Sequence, residues 1–136
     1  MDLFQTDELY LEDCKMLLRK VPVGRIGVSI NALPVILPVN FRVVGDSIIF
    51  RTVEGTKLAA ATAGSVVAFE VDGYDDDGSA GWSVMVQGVA TDVTDSPDID
   101  IDLVPPTGAW GVGNDAKHIV KIDLGLVTGR RFFRKT

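Results

Sequence analysis

The sequence predicts a mainly β protein, built as a closed or nearly closed barrel of six mostly antiparallel strands with a few short helices. Three observations lead to this prediction. Short runs rich in β-branched residues begin at Arg25, turn residues separate them, and they leave little room for helix. The chain has 136 residues, of which 46% are hydrophobic, which is enough for one core. We therefore expect residues 1–136 to form a single domain.

A helix is expected ahead of the strands, capped by Thr6 or Asp7 and ending near Lys20. Its apolar residues recur at helical spacing and form one stripe: Tyr10, Cys14, Leu17, Leu18 and Val21. Because Cys14 lies on this stripe, we predict a buried thiol and not a nucleophile.

The six predicted strands are RIGVSI, VILPVNFRVV, SIIFRT, SVVAFEVDGY, GWSVMVQGVATDV and HIVKIDLGLVT. A turn at Gly45-Asp46 separates the second from the third. Pro38 interrupts the second strand, which predicts an edge, a bulge or a strand that opens to admit a ligand.

The fifth strand has two mainly apolar faces. Alternation places its side chains in two rows: Trp82, Val84 and Val86 on one face, and Ser83, Met85, Gln87 and Val89 on the other. Such a strand is expected to face the core on one side and a partner or ligand on the other.

The turn after the third strand, FRTVEGTKLAAAT at residues 50–62, gathers basic and hydroxyl side chains where a short helix is expected to begin. A helix start presents unpaired amides to an anion. Arg51 and Lys57 add charge, and Thr52 and Thr56 add hydroxyl donors. This turn predicts a phosphate site, although a capped surface helix with scattered basic residues explains it equally well.

Bulk charge excludes several partners. The net charge of -6 and the pI near 4.6 argue against nucleic acids and anionic membranes. No apolar run approaches the roughly 20 residues of a membrane span, and the acidic N-terminus does not resemble a signal peptide. A single cysteine excludes an internal disulfide framework. We therefore expect a cytoplasmic protein.

The remaining acidic and glycine motifs predict no metal or dinucleotide site. GVGNDA at residues 111–116 matches a dinucleotide pattern but follows a loop and not a strand. The alternating aspartates of SPDIDIDLV, residues 96–104, lack the glycine and glutamate of a calcium loop. That segment begins with Ser96-Pro97 and predicts a short acidic helix. Asp75–Asp77 precede Gly78 in an expected hairpin turn.

His118 is the only histidine, and it begins the last predicted strand. We interpret it as a strand-end histidine whose hydrogen bonds are satisfied. No local signature supports a pairing with Cys14 in nucleophilic catalysis. Catalytic residues therefore stay unassigned, and if the protein is an enzyme, a cofactor is expected to supply the chemistry.

Several segments, taken in order, resemble the pyridoxamine 5'-phosphate oxidase-like family. They are GRIGVSINALPVILPVNF, IIFRTVEGTKL, VVAFEVDGYDDDGSAGWSVMVQGVA and VTGRRF, and the resemblance covers about residues 5–132. The chain is most similar to short, single-domain members of actinobacterial type. The resemblance implies an FMN-binding split β-barrel that forms a homodimer, with two equivalent cofactor sites at the subunit interface.

The resemblance also implies which residues hold the cofactor. The FMN phosphate would lie against Arg51, Thr52, Thr56 and Lys57. Backbone groups beside the flavin ring would come from Pro38, Val39 and Asn40. The other subunit would contribute Trp82, Ser83 and Gln87. Trp82 lies on the opposite face from the other two, so it joins them only if the ligand crosses the strand end.

Three functions follow as alternatives from the resemblance. The first is a flavin-dependent oxidoreductase that acts on a small organic substrate. The second uses a deazaflavin coenzyme, whose phosphate the same turn could bind. The third is a flavin-binding or sensing module without turnover. The chain stops at Thr136, soon after VTGRRF, where full-length oxidases of the family have a substrate-binding extension, so pyridoxamine phosphate oxidation is not expected.

Overall fold

A computed structural model of the chain describes residues 3–52, 64–107 and 118–135. These ranges contain eight β-strands, one α-helix and one 3₁₀ turn. The strands are β1 (Phe4–Glu8), β2 (Val23–Ile30), β3 (Leu33–Val44), β4 (Ser47–Thr52), β5 (Val66–Tyr74), β6 (Ala80–Asp92), β7 (His118–Asp123) and β8 (Leu126–Arg134). Helix α1 spans Leu11–Leu18, and the 3₁₀ turn spans Ile101–Leu103.

Six of the strands close a barrel, as the sequence predicts. The order is β2, β3, β4, β7, β6 and β5, which pairs again with β2, and every pairing is antiparallel. Strand β8 pairs with the first part of β6, and β1 pairs with β8, so these two strands extend the sheet beyond the barrel. Within the described ranges, no helix is long and apolar enough to cross a membrane.

Strand β3 changes partner along its length. Residues 33–40 pair with β2, and residues 41–44 pair with β4, beginning at the Phe41–Phe50 pair. Among the described strands, only β2 pairs with the stretch of β3 that contains Pro38. That position tolerates a residue without an amide proton and confirms the expected edge.

The core fills the inside of this barrel. Phe50 and Phe69 are fully buried, and the rings of Phe41 and Phe69 meet edge to face with centroids 4.8 Å apart. Helix α1 closes one end of the barrel, because Cys14 and Leu18 belong to the same buried cluster. The buried thiol predicted at Cys14 is confirmed.

The predicted start of the first helix is wrong. Phe4–Glu8 form strand β1, and α1 begins only at Leu11. In the β1–β8 register Asp7 lies opposite Arg131 and Glu8 opposite Arg130. Opposite charges on paired strands favour the strand over the helix cap that Thr6 and Asp7 suggest.

The sixth predicted run is two strands, since it divides at Leu124-Gly125 into β7 and β8. β7 pairs with the end of β6 and β8 with its beginning, so the chain must cross Gly88 between them. The backbone of Asp123 and Gly125 passes so close to Gly88 that a Cβ there would lie 2.0 Å from the Asp123 carbonyl oxygen. Such a crossing depends on tertiary contacts that a local pattern does not encode.

The acidic segment 96–104 forms only the single turn Ile101–Leu103 and not the expected α-helix. Asp100 caps this turn by accepting a 3.0 Å hydrogen bond from the Asp102 amide. Aspartate side chains that bond nearby amides compete with helix formation. The hairpin turns at Gly45-Asp46 and Asp75–Gly78 are confirmed. The GVGNDA motif and the helix expected after Thr52 lie outside the described residues.

Candidate functional site

Strands β8, β6, β5, β2 and β3 present one outer face, in which the strand registers align two complete rows of residues. The first row is Leu126, Gln87, Ala68, Gly27 and Ile36. The second row is Thr128, Met85, Glu70, Arg25 and Pro38. We call this surface the outer face. It carries apolar residues that water reaches freely, since Ile36 is 72% exposed and Leu126 is 59% exposed.

Two small residues lie at the centre of the first row. Gly27 and Ala68 are paired, and they leave a low floor between the side chains of Ile36 and Gln87. The floor lines a cavity of about 350 Å³, whose walls are Arg25, Gly27, Ile36, Ala68, Glu70, Asp72 and Met85. This volume is within the range of small-molecule sites.

Two further cavities continue along the outer face. One of about 540 Å³ is lined by Glu8, Leu9, Glu70, Ser83, Met85, Val127, Thr128, Gly129 and Arg130. Glu70 and Met85 form the wall that it shares with the central cavity. The other, of about 330 Å³, lies where β2 and β5 separate after only three paired residues. The outer face is therefore a continuous, indented surface.

Four of the predicted site residues belong to this side of the sheet. Pro38 and Gln87 lie in the two aligned rows, and Ser83 lines the larger cavity. Asn40 is the last residue of β3 that pairs with β2, and it lies opposite Val23. The strand alternation places these four side chains on the same side of the sheet.

Val39 and Trp82 point the other way. Val39 is 7% exposed and belongs to the barrel core. Trp82, in β6, is half-buried and packs against the same core. The alternation predicted for the fifth strand is confirmed, because Val84 and Val86 are buried. Only the backbone of Val39 is thus available to a ligand on the outer face.

Arg51 is hydrogen-bonded to the backbone of the acidic segment 96–104. Its Nη2 donates to the carbonyl oxygen of Ile101 at 2.9 Å, and its Nε and Nη2 both donate to that of Val104 at 3.3 Å. These bonds hold the 3₁₀ turn against β4 and occupy two of the three guanidinium nitrogens. This structural role of Arg51 has no local signal in the sequence.

Thr52 is 4% exposed and lies opposite His118 in the β4–β7 register. It ends β4, directly before the part of the phosphate turn that holds Thr56 and Lys57. Those two residues lie outside the described ranges, so the phosphate turn stays a prediction.

His118 is held by a small hydrogen-bond network. Its Nδ1 lies 2.8 Å from Asp92 Oδ2, and Asp92 Oδ1 accepts from both the amide and the hydroxyl of Thr94. The Thr94 Oγ1 in turn accepts from the amide of Ile119 at 3.0 Å. The Thr94 hydroxyl, and then His118, hold the pKa of Asp92 below its usual value. The predicted strand-end position of His118 is confirmed, and its Nδ1 has a hydrogen-bond partner.

A charged group lies in the middle of the outer face. Arg25 Nη1 is 3.5 Å from Glu70 Oε1 and 3.2 Å from Asp72 Oδ2. Partial burial, followed by a hydrogen bond with Asp72, raises the pKa of Glu70 to about 7. These residues have no local sequence signal, because Arg25 is 45 positions from Glu70 and only the β2–β5 register joins them.

Comparisons with known proteins identify the family of the chain. The model of the pyridoxamine 5'-phosphate oxidase family matches residues 11–131, so the chain belongs to that family. It is 40% identical over 131 residues to the uncharacterized protein Rv0080 of Mycobacterium tuberculosis, covering 91% of this chain and 84% of that protein.

Two solved structures are similar over nearly their whole length. The FAD binding protein from Mycobacterium smegmatis has a TM-score of 0.71 and 34% identity, covering 93% of this chain and 98% of that one. A Corynebacterium glutamicum protein, provisionally named a pyridoxamine 5'-phosphate oxidase, has a TM-score of 0.78 and 29% identity, covering 95% and 99%. The fold assignment thus rests on both sequence and structure.

Proposed function

We propose that this protein binds a flavin nucleotide on its outer face and transfers hydride or electrons between that flavin and a small organic substrate. One observation carries the proposal: the small residues Gly27 and Ala68 form the floor of a cavity of about 350 Å³, and Ile36 and Gln87 lie on either side of them in the same row of the sheet. FMN is the first candidate. FAD is the second, because the 34% identical M. smegmatis relative is a FAD binding protein.

The residues present suit a flavin chemically. A planar aromatic ring needs a low apolar surface, which Gly27 and Ala68 supply. The Gln87 side chain can both donate and accept hydrogen bonds, as the polar edge of a flavin or its ribityl chain requires. The Ser83 hydroxyl and the backbone of Pro38–Asn40 add further polar groups on the same side of the sheet.

A second copy of the chain is part of this proposal. Exposed apolar side chains as large as Ile36, Val66 and Leu126 on one face are unusual for a monomer. A homodimer would cover them and enclose the cofactor between the subunits. The phosphate turn of one chain would then face Ser83 and Gln87 of the other.

In this arrangement the protein binds and orients the cofactor. When bound, the flavin supplies the ring that accepts or donates hydride. The outer face would hold the ring on the Gly27–Ala68 floor, and the dimer contact would exclude water from it. We place the protein in the cytoplasm, since one cysteine gives no internal disulfide.

Cofactor titration tests the proposal. The purified protein, freed of bound ligand, is titrated with FMN, FAD and a deazaflavin coenzyme, with protein fluorescence as the readout. We expect saturable binding of a flavin; tighter binding of the deazaflavin would support the coenzyme alternative, and no binding of any of the three would refute the proposal. Steady-state oxidation of reduced cofactor by quinones and nitro compounds then separates an enzyme from a flavin-binding module without turnover.

A further inference from the structure

The charged group at the centre of the outer face has one cation for two carboxylates. Arg25 offers the same nitrogen, Nη1, to the carboxylates of both Glu70 and Asp72. The carboxylate side chains are only 37% and 32% exposed, even in the isolated chain. One guanidinium therefore compensates two acids that are already partly removed from water.

The elements packed around Glu70 do not supply the missing positive charge. From β1 and β8, Glu8 and Arg130 line the same cavity as Glu70. Strand β6 contributes the uncharged Met85, and β3 contributes Ile36 and Pro38 through the rows described above. Across these described residues two cations face three carboxylates, which leaves one negative charge. A proton on Glu70 makes the group neutral.

Association of two copies would make this charge costly. A two-fold interface brings the same patch from both subunits together, so each copy contributes its own uncompensated carboxylate. Burying an unpaired charge is expensive, and a titratable group avoids the cost by taking up a proton. The pKa of Glu70 is already raised to about 7 in the isolated chain, by burial first and the bond with Asp72 second.

We propose that the protonation state of Glu70 controls self-association through the outer face, so that two copies associate tightly when Glu70 carries a proton and separate as the pH rises. This inference rests on the proposed function, which places a second copy on this face. It adds a regulatory property: formation of the shared cofactor site would depend on pH.

The sign and size of the effect follow from linkage. The associated state binds more protons than the free chains, so the Kd of the dimer is constant at low pH and rises as the pH passes the pKa of Glu70, about 7. Each linked proton changes the Kd by up to about tenfold per pH unit, and a dimer contains two such protons. We therefore expect the Kd to rise by up to about 100-fold between about pH 6 and pH 8.

Sedimentation equilibrium of the full chain without added flavin, at constant ionic strength and pH 6, 7 and 8, provides the test. The Glu70→Gln variant removes the proton-binding group and keeps the hydrogen-bonding shape. It should associate at pH 8 as tightly as the unaltered protein does at pH 6. Glu12→Gln is the matched control, because the Glu12 side chain is 83% exposed on α1, and it should retain the full pH dependence.

Each outcome is decisive. A dimer whose Kd is the same at pH 6 and pH 8, or a Glu70→Gln variant that keeps the pH dependence, would overturn this inference and leave the proposed homodimer intact. A monomer at every pH would overturn both. If Glu70→Gln does not fold, as circular dichroism would show, carboxyl NMR of the unaltered protein replaces it. Titration of Glu70 over the same pH range as dissociation supports the inference, and titration well below that range refutes it.

Discussion

Phe41 and Phe50 form the first residue pair between β3 and β4, at the point where β3 leaves β2. Asn40 directly precedes one member of this pair, and Arg51 directly follows the other. The pairing therefore brings together the two segments that the sequence predicts as the flavin-ring strand and the phosphate turn. The β3–β4 hairpin, which turns at Gly45-Asp46, places these two segments side by side.

The Lys57→Ala variant should bind a flavin nucleotide about tenfold more weakly or worse, because a charge-assisted hydrogen bond contributes about 1.5–3 kcal/mol. Its unfolding midpoint should change little, since the sequence predicts an exposed helix start there. Fluorescence titration measures the affinity. Lys20→Ala, which removes an exposed lysine just beyond α1, is the control and should leave affinity unchanged; equal affinities of the two variants would remove the phosphate assignment.

Gly27→Val tests the floor of the central cavity. A Cβ at Gly27 would lie 3.6 Å from the Ala68 Cβ, an ordinary contact, so Gly27→Val should stay folded with a stability change within about 0.5 kcal/mol. Its side chain would stand on the floor and should weaken flavin binding at least about tenfold. Undiminished binding by a folded Gly27→Val protein would show that the ring lies elsewhere.

Gly88→Ala tests the β7–β8 connection and should lower stability. Its Cβ would lie 2.0 Å from the backbone oxygen of Asp123, and backbone cannot move aside as a side-chain tip can. We expect a loss of about 1–3 kcal/mol in the free energy of unfolding, measured by chemical denaturation. A stability equal to that of the unaltered protein would mean that the β7–β8 connection does not pass over Gly88.

The Cys14 thiol should be unreactive in the folded protein. It is 1% exposed, and burial, followed by the nearby Asp13 carboxylate, raises its pKa. The thiolate is the reactive form, so labelling with a disulfide reagent at neutral pH should be slow in buffer and fast in denaturant. Rapid stoichiometric labelling of the folded protein would contradict the placement of α1 on the barrel.

Asp92 should make stability depend on pH. Hydrogen bonds from Thr94, and then His118, lower the pKa of its carboxyl group from the ordinary 3.8. An acid whose pKa is lowered on folding stabilises the protein above its unfolded-state pKa, and this contribution is lost as the pH falls through the lower folded-state value. Asp92→Asn should therefore be less stable at pH 7, with the difference shrinking below about pH 4.

Denaturant unfolding of the unaltered protein and of Asp92→Asn, at pH 7 and below about pH 4, measures this difference in stability. Asp95→Asn, an exposed aspartate nearby, is the control and should show little effect at either pH. A deficit for Asp92→Asn that is as large in acid as at pH 7 would show that the carboxylate charge is not its cause.

The barrel strands were predictable from sequence because their signals are local. β-Branched runs, the Gly45-Asp46 turn and the alternation of Trp82 with Ser83 all depend on neighbouring residues. The errors arose where distant pairings decide the structure. The pairing of Asp7 with Arg131 makes β1 a strand, and the crossing over Gly88 divides the last run in two.

The candidate site shows the same division. Alternation correctly separated Gln87 from Trp82, and proline chemistry marked the open stretch of β3. Sequence could not show that Arg51 bonds the carbonyl oxygens of Ile101 and Val104. Nor could sequence predict that Arg25 lies beside Glu70. Both interactions join residues about 50 positions apart, and a single sequence has no periodic signal for such contacts.

The central claim, a flavin site shared between two copies, is tested most directly by mixed dimers. Subunits with Lys57→Ala are combined with subunits with Gln87→Leu, verified heterodimers are isolated, and flavin is titrated. Each altered homodimer should bind poorly. The mixed dimer should recover one site of unaltered affinity, because one of its two sites pairs the intact phosphate turn of one chain with the intact Gln87 of the other. Heterodimers that bind no better than the altered homodimers would show that the site is not shared between subunits.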